Sequence, residues 1–175
     1  AAQGDAAAAT NAYRKALEIK PDYLPAHSAI VRILLAEGKL DDAGKQIEVL
    51  KQIAPNHPQT QYLRAMLAYQ QKDYAAARDA ILLHLKVVPE SPLGLQLAGL
   101  IEYDSQAFPQ AEAYLLKALP RTPPLSIARR VLIASYLRNA QPSKALGVLE
   151  PVLDKIDKDS NMLALAGQVF LQNGQ

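Results

Sequence analysis

Proline recurs at a fixed interval in this chain: Pro21, Pro55, Pro89 and Pro123 stand 34 residues apart. Proline ends or kinks a helix because it lacks a backbone N–H and its ring clashes with the preceding turn. A helical sequence that meets proline at equal intervals is therefore a series of equal helical units. Alanine keeps the same interval at Ala9, Ala43, Ala77, Ala111 and Ala145. Four residues after each alanine comes a larger side chain (Tyr13, Ile47, Ile81, Leu115, Leu149), and three further on stand Ala16, Leu50, His84, Ala118 and Val152. Offsets of four and seven mark one face of an α-helix. A period of this length, kept along a whole chain, is the mark of a repeat architecture.

Each period holds two helices. Helix A is expected at 24–37, 58–71, 92–105, 126–139 and 160–173, with Pro25, Pro58 and Pro92 in the first turn, where a missing N–H costs nothing. A tight turn follows at Gly38-Lys39, Lys72-Asp73, Gln106-Ala107 and Ala140-Gln141, and helix B runs from there to the next proline. Gly4-Asp5 is the same turn one period earlier, and Gly174 begins the next. A small residue recurs in the middle of helix A (Ala65, Gly99, Gly167), which suits a close approach of helix B. Val31 and Ile133 break that pattern and predict wider packing in their units. Pro151 falls inside the last helix B and should kink it or end it early.

Composition removes several function classes. The 19 Lys and Arg against 17 Asp and Glu are too balanced for a protein that grips phosphates as its main task. Without cysteine there is no disulfide, thiolate zinc site or cysteine nucleophile. No run of about 18 apolar residues is present to span a membrane. Glycine-rich phosphate loops, nucleophile elbows and paired-histidine metal motifs are missing. His27, His57 and His84 fall about one period apart, on neighbouring units, and are not i,i+4 ligands. No catalytic residue, metal or cofactor is expected, and His84 reads as a packed histidine on the core face of helix B. The N-terminus has no initiator Met and no basic or apolar leader region, so no signal peptide is expected and the chain reads as starting in mid-protein.

These features together resemble the tetratricopeptide repeat: a 34-residue period, a small residue in helix A, the turn Gln71-Lys72-Asp73-Tyr74, alanine in helix B and a closing proline. The stretches Gln71-Lys72-Asp73-Tyr74-Ala75-Ala76-Ala77 and Leu97-Ala98-Gly99 lie close to that family's pattern. The resemblance implies an all-α, right-handed superhelical solenoid of antiparallel helix pairs, about ten helices in all. Its units would be helix B of one repeat at 5–20, full repeats at 24–57, 58–91, 92–125 and 126–159, and helix A of a further repeat at 160–175. Such a chain reads as a fragment of a longer array, with uncapped ends open to end-to-end self-association. The family's helix A aromatic is missing; its position holds His27, Gln61, Leu95, Arg129 and Leu163. Glu102 takes an inner helix A position where an aromatic is usual, and a buried carboxylate there would need a partner.

The resemblance also implies a function: a non-enzymatic scaffold whose concave groove, lined by helices A, takes a protein or peptide partner. Carried over position by position, the groove residues are Ser28, Arg32, Leu35 and Ala36, then Gln59, Tyr62, Met66, Tyr69 and Gln70. Leu93, Gln96, Leu100, Tyr103 and Asp104 follow, then Ile127, Arg130, Ala134, Leu137 and Arg138, and finally Gln168. Of these, Arg32, Tyr62, Met66, Tyr69, Gln96, Leu100, Tyr103, Arg130, Arg138 and Gln168 are the candidate contacts. Aromatics and Arg dominate binding hot spots, and Met adapts to shape. Leu35, Leu93 and Ile127 are expected to pack between helices instead. The Lys/Asn clamp by which some relatives hold a C-terminal carboxylate is not present.

Two further readings stay open. The segments 128–138, 141–146, 149–153 and 165–170 resemble the long tetratricopeptide lipoproteins of exosortase systems, which sort proteins with a PEP-type C-terminal signal alongside exopolysaccharide production. That resemblance implies a periplasmic or envelope-anchored scaffold, with the cytoplasm as the alternative. Between Ala113 and Leu149 there is no acid, while Lys117, Arg121, Arg129, Arg130, Arg138 and Lys144 are present. This run would suit a polyanion or polysaccharide, unless acids downstream balance it. Helical-repeat RNA binding is a more distant alternative, since it calls for strong basicity along helix A.

Overall fold

The computed structural model describes residues 2–124 and 126–174. Residue 1 lies outside them, as do residues 125 and 175, which end the expected units 92–125 and 160–175. The described residues form ten α-helices and no strand. These are α1 (Ala2–Ile19), α2 (Leu24–Ala36), α3 (Leu40–Ile53), α4 (Pro58–Gln70), α5 (Tyr74–Val87), α6 (Pro92–Asp104), α7 (Phe108–Ala118), α8 (Ile127–Arg138), α9 (Pro142–Leu149) and α10 (Ser160–Gln172). The chain divides into two compact units, 1–88 and 89–175, each an alternation of A and B helices.

The turn inside each repeat is the most regular element. Gly38, Lys72, Gln106, Ala140 and Gly174 all have positive φ, between 52° and 74°, and they are 34 residues apart. The next residue closes the turn by donating its N–H to a carbonyl five residues back. Lys39 donates to Leu34, Asp73 to Ala68, Ala107 to Glu102 and Gln141 to Tyr136, all at 2.8–2.9 Å. This is the left-handed helix ending that glycine favours because it has no Cβ to clash. Three of the five positions use it without glycine.

Helix starts follow the residues at hand. Asp73, Ser91, Ser126 and Asp159 each accept a backbone N–H at the first turn of the helix that follows. His57 does the same for α4 through Nδ1, which accepts from Gln59 N at 3.1 Å.

In the 1–88 unit, α2 packs on α1, α3 and α4, and α4 packs on α5. Its core joins Val31, Leu35, Ala43, Ile47, Leu50 and Leu63. The backbones of α4 and α5 run close over more of their length than those of α2 and α3, although the pairs have equal lengths. Val31 in α2, where α4 has Ala65, accounts for the wider pair. In the 89–175 unit, α8 packs on α6, α7, α9 and α10. Gly99 admits Leu115 of α7 so closely that a Cβ there would lie 2.5 Å from its side chain. Gly167, at the same repeat position in α10, has open space in front of it.

Pro151 acts as its chemistry requires. α9 stops at Leu149 and the chain continues as a 3₁₀ helix, Glu150–Lys155. In a 3₁₀ register the Val148 carbonyl faces residue 151, a proline with no N–H to give. Arg129 supplies the donor, from Nη1 at 2.5 Å.

Arg129 stands where the family's helix A aromatic is missing, and the same position explains two other departures. His27 Nε2 lies 2.7 Å from the Pro21 carbonyl, Gln61 Nε2 donates to Pro55 O at 2.5 Å, and Arg129 Nε donates to Pro124 O at 2.6 Å. His27 also meets Gln46 of α3, which stands at the same repeat position as Val148 of α9. Polar side chains here fasten helix A to the proline turn before it. Two of them also reach helix B.

Candidate functional site

The helix A faces are where the expected contacts gather, and each unit presents its own. In the 1–88 unit, Tyr62, Met66 and Tyr69 follow one another at i, i+4 and i+7 along α4, all half-buried. Tyr62 leans on His84 with ring centroids 5.4 Å apart, and Tyr69 on Tyr74 at 6.1 Å. Met66 packs partly on the core. Arg32 is exposed on the neighbouring α2 and makes no ion pair among the described residues. Burial raises the Tyr62 hydroxyl pKa, and the Arg32 charge nearby works against that rise. Beside Arg32, Ala9, Tyr13, Ala29, Ile33 and Ala36 surround an open cleft of about 350 Å³.

In the 89–175 unit the row repeats one period on. Gln96, Leu100 and Tyr103 lie half-buried along α6, and Tyr103 rests on Phe108 at 5.7 Å. Arg130 of α8 is 3.6 Å from Asp159, whose other oxygen caps α10. Arg138 and Gln168 are exposed.

Burial corrects some of the sequence-based expectations. Leu35 is buried as expected, and so is Ser28, which was expected in the groove. Leu93 and Ile127 were expected to pack between helices, yet they are 60% and 45% exposed. Both stand in the first turn of their helices, where the residues that follow them, Gly94 and Leu95 in α6 and Ala128 in α8, take the inward side instead. The cleft beside Arg32 was not foreseen. Its only trace was Tyr13, the one aromatic in the row of larger side chains on helix B.

The basic run is largely taken up inside its own unit. Arg121 pairs with Glu90, Arg129 holds two carbonyls, Arg130 pairs with Asp159, and Lys144 lies 5.6 Å from the Tyr136 ring centre. The Lys117 and Arg138 side chains make no ion pair among the described residues. The same unit buries Glu112, which accepts from Asn139 Nδ2 at 3.1 Å. Glu102 is buried too, and it has a partner.

All three histidines have structural work. His27 joins Pro21 to Gln46, and His57 caps α4. His84 is buried, with Nδ1 2.9 Å from Pro58 O and Nε2 without a hydrogen-bond partner among the described residues. Among the described residues no group of His, Cys, Asp or Glu could hold a metal ion, and no helix is long and apolar enough to cross a membrane.

Known proteins share this architecture. Tetratricopeptide repeat family models match residues 1–67 and 62–126, which together take in most of the chain. No curated protein matches it in sequence. Among solved structures, pilF of Pseudomonas aeruginosa superposes with a TM-score of 0.82 at 19% identity, over 98% of this chain and 78% of its own. A thermophilic tetratricopeptide repeat protein of Thermus thermophilus gives 0.76 at 20% identity, over 97% and 93%. MamA gives 0.72 at 17% identity, over 91% and 93%. At such identities the likeness is one of fold. With repeat, turns and helix pairs in agreement, the chain belongs to the tetratricopeptide repeat family.

Proposed function

We propose that this protein is a non-enzymatic interaction scaffold that binds peptide segments of a partner protein through its helix A faces. The tetratricopeptide repeat fold supports protein–protein interaction in general. The observation that carries the reading here is the repeated half-buried row: Tyr62, Met66 and Tyr69 on α4, and Gln96, Leu100 and Tyr103 on α6. The three tyrosines of the row are held half out of the helix face by ring neighbours and so lose little freedom on binding, which suits them as hot spots. A photo-crosslinking residue at Leu100 or Tyr103 should trap a protein partner in cells of the source organism. One at Lys117, on helix B, should not. Equal yield from both faces overturns the reading.

The same scaffold belongs, in this proposal, to an envelope-associated sorting or export system. The segment 128–170 supports this through its resemblance to the exosortase-linked lipoproteins. Fractionation of the full-length gene product tests it: recovery with the envelope agrees, and recovery in the cytosol alone overturns it.

A further inference from the structure

Charge is segregated within the 1–88 unit. Its two helices A, α2 and α4, contain no Asp or Glu. The acids of the unit stand on α1, α3, α5 and the turns: Asp5, Glu18, Asp22, Glu37, Asp41, Asp42, Glu48, Asp73 and Asp79. The helix A face carries two cations. Arg64 is engaged, donating to Gln61 Oε1 at 2.7 Å. Arg32 is exposed and has no counter-ion among the described residues. On one side of it stands Tyr62; on the other opens the cleft of about 350 Å³ walled by alanines, Tyr13 and Ile33. A planar guanidinium beside an apolar hollow presents two donors to a carboxylate and room for an aliphatic neighbour.

We infer that this face selects acidic segments: an Asp or Glu side chain of the partner pairs with Arg32, and an adjacent aliphatic residue enters the cleft between α1 and α2. The inference rests on the peptide-binding reading and deepens it by naming the ligand chemistry. An unpaired cation on a face without acids attracts anionic segments and rejects cationic ones, since like charges brought together there gain nothing to offset their desolvation.

The test is panning of a displayed library of random 12-residue peptides on the full chain. The enriched peptides are then measured against Arg32→Gln, Ala36→Leu and, as a control on helix B of the other unit, Lys117→Gln. Arg32 and Ala36 are exposed, so the variants should keep the wild-type helical circular dichroism. Enriched peptides should carry Asp or Glu beside Leu, Ile or Val, and their affinity should fall with rising salt. Loss of a charge-assisted pair should weaken them about 10- to 100-fold in Arg32→Gln. Ala36→Leu, which fills the cleft, should weaken them as well, and Lys117→Gln should not. Peptides that enrich without acids, or acidic peptides indifferent to Arg32→Gln, overturn this inference and leave peptide binding standing. A library that yields no binder overturns both.

Discussion

The side-chain amide of Gln61 donates to the backbone carbonyl of Pro55 at 2.5 Å, tying the start of α4 to the proline turn before it. His27 makes the same contact to Pro21, one period earlier. Gln61 is buried, and Arg64 donates to its remaining oxygen. The bond therefore takes the place of the packing that an aromatic would provide. Gln61→Leu keeps the volume but removes both interactions. It should lower the unfolding free energy by about 1–3 kcal/mol, the net value of two hydrogen bonds. A shift in the urea midpoint with unchanged slope would report it, and an unmoved midpoint would deny the tie any role.

Arg129 and Pro151 should be coupled. The guanidinium serves the Val148 carbonyl, which Pro151 cannot. Arg129→Leu alone should cost about 1–3 kcal/mol, because it leaves acceptors without donors. In a Pro151→Ala background a backbone N–H becomes available, so the cost should shrink. The double-mutant cycle reads the difference, and strict additivity would mean the two do not interact.

Ala140 turns the chain with a φ of 52°, where L-residues with a Cβ are strained. Ala140→Gly should stabilise by about 1 kcal/mol, the lower end of the left-handed penalty. Gly38→Ala, at φ 70° in the equivalent turn, should destabilise by a similar amount. Thermal melts of the two variants should move in opposite directions.

Two glycines at one repeat position should answer alanine differently. Gly99→Ala places a Cβ 2.5 Å from Leu115, which is fully buried and cannot retreat freely. Overpacking of this kind costs about 1–3 kcal/mol. Gly167→Ala meets nothing within 4 Å and should gain up to about 1 kcal/mol of helix propensity. Chemical denaturation of each variant gives the sign.

Stability should fall in strong base. Burial raises the pKa of Tyr62 and of Tyr136 above the ordinary 10.0, and Glu112 raises Tyr136 further. As pH passes the unfolded value, the unfolded chain loses these protons first, so it binds fewer than the folded chain and stability declines. The contribution is complete below pH 10 and is lost as pH rises through the folded values. Denaturation between pH 9 and 11 should show the Tyr62→Phe, Tyr136→Phe double variant declining less steeply than the wild type.

The all-α fold was legible because it rests on local signals. The spacing of proline and alanine names the helices, and Pro25, Pro58 and Pro92 name where three of them begin. Pro151 announces the end of α9 by its lack of an N–H. The candidate site was legible only as positions. The 34-residue period places Tyr62, Met66 and Tyr69 on one side of α4 and Gln96, Leu100 and Tyr103 on the matching side of α6, but it says nothing of what each side chain touches.

The sequence by itself determined the repeat, the helix pairs and the turns, since φ, ψ and short-range hydrogen bonds depend on residues within one or two turns of one another. Only the tertiary structure decided that Arg130 is held by Asp159 while Arg32 has no counter-ion among the described residues. It likewise decided that Leu93 and Ile127 lie open, and that His27, Gln61 and Arg129 replace an aromatic with hydrogen bonds. These outcomes depend on groups brought in by a neighbouring helix or a backbone turn. A periodic sequence repeats its backbone in every unit, but its side chains meet different neighbours each time.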